Sequence, residues 1–207
     1  MKQLNKSVAM VAASAIFLVA YAAQQIDTKN WQTFSSKEGS FKIKTPQGWG
    51  VADPEDPATK EALEKIKKNN PKMSAMFENT DKSGYDLYLY DFSGDASQGL
   101  SNLNLKTLKD SGLTQAMYPD VAKEIVKGAN MTNAGWKVVT MPMGKTLTYW
   151  GSLSVALGEG AKMDFKVYGY LVVKGNMCYI CTMTTTPQKD KEQKPIFEEM
   201  AKSITLK

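Results

Sequence analysis

The side chains of this 207-residue chain best suited to chemistry are its sulfurs. Cys178 and Cys181 lie three residues apart, with Met177 and Met183 beside them and Met141 and Met143 earlier in the chain. Thiolate and thioether donors suit soft ions such as Cu(I), so a soft-metal site is one reading. Core packing is the simpler one, because methionine and free cysteine fill apolar interiors. The chain has no histidine, which removes Ser-His-Asp and Cys-His catalysis and imidazole-bound metals. Proton transfer near neutral pH would fall to a perturbed carboxylate, lysine, tyrosine or cysteine. All 26 basic residues are lysine, so no guanidinium fork is available for phosphate or carboxylate.

The remaining motifs are weak. Gly144-Lys145-Thr146 ends like a phosphate-binding loop, but Val139 stands where that loop needs its first glycine; a hairpin turn explains it. Gly151-Ser152-Leu153-Ser154-Val155 fails the nucleophile-elbow pattern at its last position. Asp53, Glu55 and Asp56 lack the spacing of a calcium loop, and acids suit a helix start. No catalytic residue, cofactor or metal ligand is assigned. Aromatic residues are plentiful: Tyr85, Tyr88, Tyr90, Tyr149, Trp150, Tyr168 and Tyr170 crowd the expected strands. From this group and the nearby tryptophans we assign Trp49, Tyr88, Tyr90 and Trp150 as the aromatic lining of a binding groove.

The elements that must position these residues centre on Met163–Thr186. Both arms are β-branched, aromatic or aliphatic on either parity, and Lys174-Gly175-Asn176 is a turn. A hairpin apolar on both faces belongs in the middle of a sheet covered on both sides. Within a strand, residues three apart point to opposite faces, so Cys178 and Cys181 are expected as buried thiols, not a disulfide. Around this centre, a small hairpin is expected from Trp31–Ser36 and Phe41–Lys44, stopped by Pro46 and Gly48. A helix follows from Asp56-Pro57 to about Lys68, with further helical turns over 72–79. Strands are expected at Tyr85–Phe92 and Asn102–Thr107, and a helix that Thr114 can cap, though Pro119 makes it settle only near Tyr118, ending at Gly128. A meander of 136–142, 146–157, 163–173 and 177–186, with turns at Pro142–Lys145, Gly158–Gly160 and Lys174–Asn176, leads to a last helix, 190–203.

Residues 1–23 read as an export signal. Lys2 and Lys6 precede an apolar run, and Ala20-Tyr21-Ala22 offers a peptidase site, with cleavage expected after Ala22 or Ala23. A retained anchor is the alternative, although the run makes only about 24 Å of helix against the roughly 30 Å bilayer core. A polar tether, 24–30, then leads into one domain, 31–207. Without Lys2 and Lys6, 24 lysines face 21 acids. That balance is too slight, and the lysines too scattered, for a nucleic-acid partner. Membrane contact is expected only through the signal segment.

Three stretches carry a resemblance. Trp31–Trp49 reads W-x-x-F-S-S-x-E-G-x-F-x-I-x-x-P-x-G-W. Asn102–Leu108 is similar to an N-[IL]-x-[VL] strand, and Ile196–Ile204 to a closing helix ending in Ser-Ile. Together they resemble the exported PsbP-like domains of the PsbP/Mog superfamily. The resemblance implies an α+β fold: a central antiparallel sheet with helices on both faces, an α/β/α sandwich. It also implies a role outside catalysis, since such domains mostly bind or assemble, and it carries over no site residue. The expectation is an exported binding or assembly module of the cell envelope or extracellular space. Its partner would be another envelope or secreted protein, or an apolar ligand. The alternatives are a small-molecule or soft-metal binder and, behind it, a hydrolase.

Overall fold

The structure, a computed structural model, describes residues 26–36, 38–51, 57–69, 71, 84–94, 99–156 and 162–207. In chain order the elements are β1 (Gln32–Ser35), β2 (Phe41–Thr45), β3 (Trp49–Val51), α1 (Pro57–Asn69), β4 (Leu87–Asp91) and β5 (Asn102–Lys109). A short 3-10 turn (Gln115–Met117) then leads into α2 (Tyr118–Gly128), β6 (Thr132–Met141), β7 (Gly144–Ala156), β8 (Lys162–Lys174), β9 (Met177–Thr185), α3 (Asp190–Lys202) and β10 (Thr205–Leu206). The expected helical turns at 72–79, the turn at Gly158–Gly160 and the acids Asp53, Glu55 and Asp56 lie outside the described residues, as does the export segment.

The hairpin β8–β9 lies inside a seven-stranded antiparallel sheet of order β3-β4-β5-β9-β8-β7-β6. Gly175, at a φ of 60°, makes the turn between them. Strand alternation divides the hairpin between two interiors. On one face Leu147, Leu171 and Cys178 pack under Tyr118 and Ala122 of α2. On the other, Leu103, Leu105, Cys181 and Met183 pack under Phe197, Met200 and Ala201 of α3. Helices therefore cover both faces. The two cysteines are buried, free and on opposite sides. Among the described residues no helix is long and apolar enough to cross a membrane.

Three details differ from the sequence reading. The chain does not leave the sheets at Gly48, because Trp49–Val51 pairs with β4 as the short edge strand β3. The hairpin β1–β2 is not isolated either. It takes up β10 to form a separate three-stranded sheet, whose Phe41 and Ile43 join the α3-side core. Thr114 makes no side-chain cap; the 3-10 turn intervenes, and α2 begins at Tyr118 with Pro119 in its first turn.

Tyr118 ties α2 to the sheet by polarity as well as packing. Its hydroxyl donates to the Lys145 carbonyl at 3.0 Å and accepts from the Val173 N–H at 2.9 Å. Tyr118→Phe leaves both backbone groups short of a partner, and is expected to cost about 1–3 kcal/mol. A lower urea midpoint with an unchanged slope would show it.

Candidate functional site: an aromatic groove beside the last helix

Register builds the site. Tyr170 lies opposite Thr148, which lies opposite Lys137, and Trp150 lies opposite Tyr168. All five side chains therefore share the α3 face of the outer strands. Helix α3 packs on β2, β8 and β9. The same face of β6 and β7 is left as the floor of a groove of about 530 Å³. The floor carries Val139 and Met141 in addition, and Lys194, Glu198 and Lys202 form the α3 wall. Trp150, 37% exposed, lies flat over Gly135, where a Cβ would come within 2.6 Å of its ring.

The two phenols of this groove, Tyr168 and Tyr170, hold their protons. Burial pushes the Tyr168 phenol up, helped by the carboxylate of Asp190, to which its hydroxyl donates at 2.5 Å, and by Glu198. Burial also pushes Tyr170 up, with Cys181 and Glu198 adding to it. Both phenols remain hydrogen-bond donors at neutral pH and cannot serve as bases there. Lys202 is paired with Glu199, whereas Lys137 and Lys194 form no salt bridge among the described residues.

Tyr88, Tyr118 and Tyr149 are likewise raised by burial. The folded protein thus keeps protons that the unfolded chain releases near the usual tyrosine value of 10.0. Their contribution is complete below that pH and is lost as pH rises from there through the higher values of the folded state. Stability should be lost progressively above about pH 10, and most of the phenolate absorbance should appear together with unfolding.

The structure separates the four residues assigned to one lining. Trp150 lines the groove. Trp49 is 4% exposed and lies edge-on to Phe197, with ring centroids 6.2 Å apart, so it anchors α3 from beneath. Tyr88 and Tyr90 stack at 5.1 Å and, by register through β5, β9 and β8, lie on the opposite face with α1. Tyr168, Tyr170, Lys137 and Lys194 take the places beside Trp150. The soft-metal set is divided too: Cys178 belongs to the α2 side, and Cys181, Met177, Met183, Met141 and Met143 to the other. Burial pushes the Cys181 thiol up, which keeps it a thiol and a poor metal ligand. Among the described residues no three His, Cys, Asp or Glu side chains gather as a metal site.

No protein-family model matches the chain, and no curated protein is similar to it in sequence. Solved structures are similar in fold. The Ran-binding protein Mog1p of Saccharomyces cerevisiae superposes with a TM-score of 0.51 at 8% identity, covering 86% of this chain and 95% of that one. The cyanobacterial PsbP of Synechocystis overlaps at 0.48 and 11% identity, covering 88% and 96%. LpqN of Mycobacterium tuberculosis, described as involved in cell envelope biogenesis, overlaps at 0.48 and 8%, covering 86% and 91%. The chain has a PsbP/Mog-like α+β fold. At these identities the likeness concerns the fold and leaves function to the site.

Proposed function

We propose that this chain is an exported, non-catalytic binding or assembly module of the cell envelope or extracellular space. It holds a protein segment or a lipid-like ligand in the groove between α3 and β6–β8. The observation that carries this reading is the groove itself: a concave surface floored by Trp150, Tyr168 and Tyr170, with two lysines in no ion pair among the described residues at its margin. A large, mostly apolar cleft with a few converging polar groups is the usual form of a binding site. The protonated phenols and the lack of histidine support binding over catalysis. Export is supported by the pattern of residues 2–22.

The test uses 8-anilinonaphthalene-1-sulfonate, an anionic aromatic probe matched to this lining. The folded protein should bind it saturably at one site, with energy transfer from tryptophan. Trp150→Ala and Lys194→Glu should each weaken binding about tenfold without unfolding the chain. Binding that never saturates, or that ignores both substitutions, would remove the groove from the account.

A further inference from the structure

Strand β6 is the last strand of its sheet, and among the described residues no strand pairs with its outer edge. Met141 and Gly144 close the two-residue turn into β7. Pairing with β7 therefore uses the backbone of Val139 and Lys137, and antiparallel alternation aims the N–H and C=O groups of Trp136, Val138 and Thr140 outward. A bulge between Thr132 and Gly135, with Asn133 at a φ of 48°, bends the start of the strand. The open run is thus Trp136–Met141.

Both faces of this run are concave and aromatic. On the α2 side, Trp136 lines a cleft of about 630 Å³ with Lys123 and Lys127. On the α3 side, Lys137 and Val139 face the groove of Trp150 and Lys194. Trp136 and Trp150 are 36% and 37% exposed, two of the four exposed large apolar side chains among the described residues. They stand on opposite faces of one sheet edge.

We propose that this edge receives an extended acidic segment of a partner protein as an added strand, its side chains directed alternately toward Trp136 and Trp150. Charge selects the occupant. Lys127, Lys137 and Lys194 form no salt bridge among the described residues; Glu198 is the one acid among the residues lining the two clefts, and Asp120 of α2 is bound to Lys123 at 3.3 Å. A second copy of this chain is disfavoured. Pairing β6 with β6 about a two-fold axis would bring the two Lys137 side chains together on one face, between chains of net charge +5. The inference rests on the groove reading for one of its two faces.

The experiment uses the full chain and a blocked synthetic octapeptide, two repeats of Glu-Phe-Phe-Glu, so that each face of the strand carries acids and rings. It is compared with a lysine-for-glutamate analogue and with two versions N-methylated on alternate amides. The acidic peptide should slow hydrogen exchange at Trp136, Val138 and Thr140 by about tenfold or more. One N-methylated version should bind at least about tenfold more weakly and the other almost normally. The lysine analogue should not bind, and Lys137→Glu should weaken the acidic peptide by about tenfold while the chain stays folded. Equal binding of both N-methylated versions would end the strand proposal and leave the groove reading standing. So would failure of every peptide in a protein that still binds the anilinonaphthalene probe. Slow exchange at the three amides in the free monomer would mean that the chain covers its own edge. Their slowing only on dimerisation would make a second copy the occupant. Either result overturns the proposal.

Discussion

Phe197→Ala is expected to cost the fold about 3–5 kcal/mol and to take the groove with it. Phe197 is fully buried and joins three parts of the molecule. Its ring meets Trp49 at 6.2 Å and 79°, and Tyr168 at 5.9 Å and 62°. Trp49 comes from the short strand at one sheet edge, Tyr168 from the groove floor, and Phe197 from the buried side of the helix that walls the groove. Truncation leaves a cavity where α3 is held to the sheet, and the rings around it are too large to collapse into it. For a domain of this size the loss should lower Tm by about 6–20 °C. Phe197→Leu keeps most of the volume and should cost less than about 1.5 kcal/mol. A Phe197→Ala protein within about 0.5 kcal/mol of the parent, the range of surface changes, would contradict this packing.

The second large effect is expected at Gly169, in the strand that carries Tyr168 and Tyr170. A Cβ there would lie 1.8 Å from Cζ of Tyr149 and 2.2 Å from its Cε2. The Tyr149 ring lies across the bare backbone of β8, is 6% exposed, and has its hydroxyl 3.4 Å from that of Thr182. Gly169→Ala is therefore expected to destabilise by about 1–3 kcal/mol through overpacking. A thermodynamic cycle identifies the cause. Tyr149→Ala should cost less in the Gly169→Ala background than in the parent, with a coupling of about 0.5–3 kcal/mol. Simple additivity would place the strain elsewhere.

The parts of the fold legible in the sequence were those with a local period. Apolar residues on both parities of 163–173 and 177–183 require cover above and below, and β8 and β9 have it. Tyr118, Val121, Ala122 and Ile125 mark the buried stripe of α2 by helical spacing alone. Strands of two or three residues carry no period. Thr205–Leu206 is a strand because Lys42 and Phe41 lie opposite, and Trp49–Val51 because Asp91, Tyr90 and Leu89 do. Both pairings span long stretches of sequence, and neither leaves a trace in composition.

The site was legible only in part, for the same reason. Alternation says that Tyr88 and Tyr90 share a face, but only register through β5, β9 and β8 says that it is the face away from Trp150. Tyr168 and Tyr170 were visible as a pair. What brings them to Trp150 and Lys137 is the pairing of β6, β7 and β8, which fixes opposite residues over three strands. A tryptophan after a proline turn serves equally as a lining or an anchor, and for Trp49 only burial against Phe197 decides between them.

The most direct measurement is native mass spectrometry of the full chain purified gently from the cells that make it, beside its Trp150→Ala/Lys194→Glu counterpart. The groove reading predicts an adduct of fixed mass, polypeptide or lipid, on the parent protein and its loss from the folded variant. Bare protein in both preparations, or the same adduct on both, would contradict it.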